Sequence, residues 1–117
     1  ELNITEHLYN GFRYSEGLPI FKDRMHCFPE AAAGLKTLVQ EKLAWLDALM
    51  EGKQFIAGNR FTLVDMILFS ALDFGAGVGQ TINPNLKNLT AWFSRVNSRP
   101  SAAASLYPDK SAGMRGV

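Results

Sequence analysis

Hydrophobic positions recur at helical spacing along almost the whole chain, and no stretch alternates as a half-buried strand does. Leu2, Leu8, Tyr9 and Phe12 form a partial stripe that predicts a first helix from Leu2 to about Tyr14, interrupted by Gly11. From Ser15 to Phe28 that period is replaced by Gly17, Pro19 and mixed charges, with Leu18, Ile20, Phe21 and Met25 as apolar anchors. The segment reads as a loop packed on the core, and a loop of this size in a compact domain tends to be functional or to hold a short helical turn. Pro29 suits the first position of a second helix, since its φ is already helical and its missing donor would be unpaired there anyway. Glu30 complements the positive end of the helix dipole. Leu35, Leu38, Val39, Leu46, Leu49 and Met50 make the apolar stripe of this helix, and Lys36, Gln40, Glu41, Lys42 and Asp47 its polar faces. With Gly52 as a left-handed stop, the helix is expected over about 29–51. Gly58-Asn59 marks a turn in the connector that follows.

The third helix has the best-defined local signal. Thr62 and Asp65 have the spacing of a capping box, in which the hydroxyl accepts from the Asp65 amide and the carboxylate reaches back to the Thr62 amide. Phe61 before the cap and Met66 after it are placed to form a hydrophobic staple. Met66, Ile67, Leu68, Phe69, Ala71, Leu72 and Phe74 then make the helix apolar nearly all round, as befits the centre of a bundle. A cap matters most at a buried helix end, where an unpaired amide costs about 1–3 kcal/mol. Gly75-x-Gly77-x-Gly79 ends this helix. Asn83-Pro84 opens a fourth, with Leu86, Leu89, Trp92, Phe93 and Val96 on its apolar face and Arg99-Pro100 at its end. Ser101 to about Leu106 forms a last short helix, and the remainder reads as a tail.

Composition narrows the picture. The chain has 117 residues, 12 basic and 11 acidic, a net charge of +1 and 47% apolar residues. A domain of this length buries roughly two thirds of its unfolded surface and needs neither disulfide nor metal to hold it. The near-neutral balance argues against a nucleic-acid or acidic-membrane partner, because phosphate binding needs a basic excess on one face, and Lys22, Arg24, Arg95 and Arg99 are scattered pairs. No apolar run reaches the ~18 residues of a membrane span, and the N-terminus has no signal-peptide pattern. The lone Cys27 fits a reducing, cytoplasmic setting. Glu1 stands where an initiator methionine is expected, which suggests a processed product or an excised piece.

Candidate chemistry is sparse, and no residue is assigned a catalytic role. His7 and His26 are the only histidines, and His26-Cys27 are adjacent, a spacing at which two side chains do not easily close on one metal; no metal site is expected. Cys27 beside Phe28 reads as a small packed residue rather than a nucleophile. The glycines at 75, 77 and 79 resemble a phosphate loop only superficially, since such a loop opens a helix and this one closes it. Asp65 reads as a structural cap rather than a general base. The first helix differs: Tyr9, Asn10, Phe12, Arg13 and Tyr14 place rings and a guanidinium within about a turn and a half. That mix suits a cleft taking an apolar group beside an anion, or equally core packing with a surface arginine.

Two segments resemble a known family. Phe55-Ile56-Ala57-Gly58-Asn59-Arg60-Phe61-Thr62-Leu63-Val64-Asp65 is similar to the stretch leading into the buried, capped helix of the glutathione S-transferase C-terminal domain. Trp92-Phe93-Ser94-Arg95-Val96-Asn97-Ser98-Arg99-Pro100 resembles that domain's next helix, with its Trp-x-x-Arg and Arg-Pro ending. The helix ending Leu46-Asp47-x-Leu49 extends the likeness back to about residue 30. The resemblance implies an all-α helical bundle with a buried central capped helix, occupying residues 1–106 with a shortened first helix and followed by a tail at 107–117.

In that family a thioredoxin-like domain of about 80 residues precedes the helical one, binds glutathione and supplies the Tyr, Ser or Cys that stabilises its thiolate. The resemblance therefore implies a C-terminal half that is inactive by itself, with that domain as a partner. Glutathione would be co-substrate, a small hydrophobic electrophile the second substrate, and the full-length parent a cytoplasmic homodimeric detoxification enzyme. Tyr9, Phe12 and Arg13 fall where the family's first helix lines the electrophile cleft, and the tail falls where the C-terminus often covers it. Thr62 and Asp65 match the family's capping box, a folding element. Domains of this fold also serve as non-catalytic interaction modules in translation elongation-factor and tRNA synthetase complexes.

Overall fold

The computed structural model describes residues 3–11, 26–77 and 79–105, and among them every regular element is helical. The helices are α1 (Thr5–Asn10), α2 (Ala32–Leu49), α3 (Leu63–Gly77), α4 (Lys87–Asn97) and α5 (Pro100–Ala104), with a 3-10 turn at Pro29–Ala31 ahead of α2. The chain forms two compact units, residues 1–42 and 43–117.

In the first unit, Ile4, Thr5, Leu8 and Val39 are buried. α1 ends at Asn10 with Gly11 as its C-cap, where φ is still helical at −56° and the amide reaches the His7 carbonyl. Pro29 opens the second helical segment as expected, but as the 3-10 turn, and α2 proper starts at Ala32. The predicted helix from Leu2 to Tyr14 is described only to Gly11, and the loop is described only from His26. The tail at 107–117 lies outside the described residues.

The second unit holds the larger core. Leu43, Leu46 and Met50 from the end of α2, Leu68, Phe69, Ala71 and Leu72 from α3, and Leu89, Trp92 and Val96 from α4 are all buried. α3 packs on α4, and α4 on α5. Gly52, at φ 77°, supplies the left-handed stop after α2. Two hydrogen bonds wind the chain past the end of α3, Gly79 N–H to the Ala76 carbonyl at 3.2 Å and Gln80 N–H to the Gly75 carbonyl at 2.8 Å. With Gly79 at φ 89°, this is a Schellman ending, so the glycine-rich segment closes the helix as its position suggested.

Three expectations need correction. Leu49 of the α2 stripe is 49% exposed, whereas Leu43, outside that stripe, is buried. On α3, Leu63, Val64, Met66 and Ile67 are between 46% and 65% exposed, so the helix buries one face while its first two turns present apolar side chains to solvent. α4 starts at Lys87 instead of at Pro84; Asn83 caps a local turn, its side chain accepting from the Asn85 amide at 3.0 Å. The orphan amide of α4 is met from elsewhere. The Asp47 carboxylate accepts from Leu89 N–H at 2.7 Å, and the Asp47 carbonyl accepts from the Asn88 side-chain amide at 3.1 Å. Asp47 is thus a cap donated by α2 across 42 positions of sequence, where local reading gave it only a polar face.

Candidate functional site

Asp65 anchors a buried polar cluster. It is completely buried, in the first turn of α3, where the helix dipole favours a negative charge. One carboxylate oxygen accepts from Trp92 Nε1–H at 2.7 Å and from Ile56 N–H at 3.0 Å. The other accepts from Thr62 N–H at 2.9 Å and from the Thr62 hydroxyl at 3.3 Å. Every partner is a donor, which suits an acceptor-only carboxylate.

Half of the expected capping box is therefore present, with its carboxylate-to-amide bond in place. The other half runs in reverse, because the Thr62 hydroxyl donates to the carboxylate. The Asp65 amide meets the Thr62 carbonyl instead, at 3.1 Å. A carboxylate stripped of water recruits whatever donors lie within reach, and the nearby hydroxyl is one of them.

Ile56 reaches Asp65 because the chain doubles back between Phe55 and Gly58, whose amides and carbonyls pair at 2.8 and 3.1 Å. Gly58 stands at φ 134°, a backbone state that side-chain-bearing residues rarely adopt. From the other side, Arg95 Nε donates to the Gln54 carbonyl at 3.1 Å. Asp65 thus ties together the connector, the start of α3 and the middle of α4, leaving its carboxylate enclosed and poorly placed for acid–base chemistry on a ligand.

Two clefts open in the second unit. One of about 210 Å³ lies among Phe61, Met66, Phe69, Ser70, Val96, Ser101, Ala102 and Ser105. The predicted staple residues Phe61 and Met66 both line it, and the Arg99 guanidinium stacks 3.7 Å above the Phe61 ring. The second, about 260 Å³, is bounded by Leu72, Ala76, Pro84 and Phe93, with the Thr81 and Thr90 side chains at its edge. Both are apolar, and neither holds a nucleophile next to a base.

Of the residues expected to bind substrate, Tyr9 is half-buried on α1, while Phe12 and Arg13 lie outside the described residues. His26 packs edge-on against Phe28 with ring centroids 4.8 Å apart, and Cys27 between them is half-buried. Among the described residues, no group of three or more His, Cys, Asp or Glu side chains is gathered to hold a metal ion. Nor is any helix there long and apolar enough to cross a membrane.

Comparison with known proteins supplies the family. Residues 20–100, well over half of the chain, match the family described as glutathione S-transferase, C-terminal domain. The chain belongs to that family. A glutathione S-transferase domain-containing protein of Marinobacter aquaeolei VT8 has a similar fold, with a TM-score of 0.73 and 28% identity over 86% of this chain. Gtt2 of Saccharomyces cerevisiae shares the fold at a TM-score of 0.78, with 20% identity over 89% of this chain. The chain spans about half of each solved structure, 49% and 50% of their respective lengths. No curated protein sequence matches it. The all-α fold is the one expected of that domain.

Proposed function

We propose that this chain is the electrophile-binding half of a glutathione transferase. The family match over residues 20–100 carries the reading, and the half-length coverage of both solved structures gives it its form. In this proposal residues 1–106 are the helical domain and 107–117 a tail, and a thioredoxin-like domain binds glutathione and lowers its thiol to the thiolate. The thiolate sulfur attacks an electrophilic carbon. With an aryl halide a carbon–sulfur bond forms, the carbon–halogen bond breaks and halide departs with the electron pair. The helical half contributes an apolar surface, from Tyr9 and Phe12, that holds the electrophile against the sulfur, and Arg13 offers charge to the anion that develops on it. The parent is a cytoplasmic homodimer acting in detoxification.

The exposed apolar start of α3 supports a partner domain. Leu63, Val64, Met66 and Ile67 make a run of half-open hydrophobic side chains, and such patches mark interaction surfaces more often than solvent-facing ones. The test is kinetic. Full-length protein should conjugate glutathione to an aromatic halide, and Tyr9→Ala should raise KM for the halide severalfold while leaving KM for glutathione unchanged. Absence of conjugation with an intact upstream domain refutes the reading and favours the interaction module; an equal rise in both KM values removes Tyr9 from the electrophile cleft.

A further inference from the structure

The 210 Å³ cleft has a composition that the transferase reading does not use. Phe61, Met66, Phe69 and Ala102 give it apolar walls, with volume for a single ring, since a dry cavity of about 150 Å³ accommodates benzene. Two of its three serine hydroxyls are committed to backbone carbonyls, Ser70 to that of Met66 at 2.8 Å and Ser105 to that of Ala102 at 2.9 Å, while Ser101 also lines the cleft. A cation stands beside it. Arg99 lies 3.7 Å from the centroid of Phe61, one of the cleft's walls, and no acidic side chain among the described residues pairs with it. An exposed guanidinium on an aromatic face keeps most of its hydrogen-bonding edge free, because the stacked contact uses only the plane of the group.

We propose that this cleft binds a small carboxylate carrying one aromatic ring, with the ring between Phe61, Met66, Phe69 and Ala102 and the carboxylate on the edge of Arg99. Amines are disfavoured by the same charge. The site lies wholly in the second unit; it shares Met66 with the apolar start of α3, and its test on the chain alone does not depend on the transferase reading.

The 117-residue chain can be titrated with 3-phenylpropionate and with its neutral amide, following the methyl signals of Met66, Val96 and Ala102 by 1H–13C NMR. For a ligand this small the dissociation constant should be on the order of 1 mM, and an exposed charge pair should make the carboxylate bind up to about fivefold tighter than the amide. Arg99→Gln should equalise the two ligands. Ser70→Leu, an exposed change on α3, should fill the cleft and abolish binding of both with the far-UV spectrum unchanged; Ser101→Leu does the same from α5. Equal affinity for acid and amide in the unaltered chain overturns the proposal. So do signal changes confined to Thr81 and Thr90 at the other cleft, or the absence of saturable shifts.

Discussion

Replacing Asp65 with alanine removes the acceptor of four hydrogen bonds at once, and the structure shows how unequal they are. The Trp92 indole sits at zero exposure, so its N–H, left without the 2.7 Å partner, has no water to turn to; this alone costs about 1–3 kcal/mol. The Thr62 amide loses its helix-start acceptor, worth about 0.5–2 kcal/mol, and the part-buried Ile56 amide loses its own. Because the bonds share one carboxylate, the losses are not strictly additive, and about 3–5 kcal/mol is the expected total. Thr62→Ala removes only the 3.3 Å hydroxyl bond while the backbone amide stays, so it should cost less than about 1 kcal/mol. Asp65→Asn should fall between, since its NH2 group would face two donors where a carboxylate oxygen accepts from both. Urea unfolding followed by far-UV circular dichroism measures all three, with the slope checked for constancy. If Thr62→Ala costs as much as Asp65→Ala, the box acts locally and the link to α4 is not what stabilises it. A cost below about 1 kcal/mol for Asp65→Ala refutes the argument altogether.

Further outcomes follow from the same contacts. Asp47→Ala should destabilise by about 1–2 kcal/mol and speed hydrogen exchange at Leu89 selectively, because the α4 amide loses its cap. Gly58→Ala should cost about 1–3 kcal/mol through backbone strain at φ 134°, with open space around the new methyl, as read in thermal unfolding. Leu63→Lys and Ile67→Gln should change stability of this chain by no more than about 0.5 kcal/mol because both side chains are half open, while Leu72→Asp should prevent folding. Unfolding midpoints that drop steeply for the first pair would show that α3 is covered on that face.

How far the sequence could be read depended on the distance over which each signal acts. Periodicity and punctuation are local: Pro29, Gly52, Gly79 and the Thr62/Asp65 spacing marked helix ends close to where they fall. The Asp47 cap on α4 and the Trp92 bond to Asp65 join residues 42 and 27 positions apart, and no local pattern announces them. A buried aspartate three positions after a threonine, with an indole in the following helix, is a signal that could have suggested the second bond. The α3 stripe failed for another reason. An apolar pattern reports which residues favour burial, and says nothing of whether a neighbour is present to bury Leu63 or Ile67. The expected electrophile site was legible only as residue types on α1. Tyr9 occupies its predicted helix, whereas Phe12 and Arg13 lie outside the described residues. The cleft at Phe61 went unnoticed because Met66 and Phe69 read equally well as core.

The division of labour between two domains is the centre of the account, and glutathione binding tests it most directly. Calorimetric titration of the full-length protein should give a saturable isotherm with glutathione, and the 117-residue chain alone should give none. Binding by the isolated chain, or no binding by the full-length protein, would contradict it.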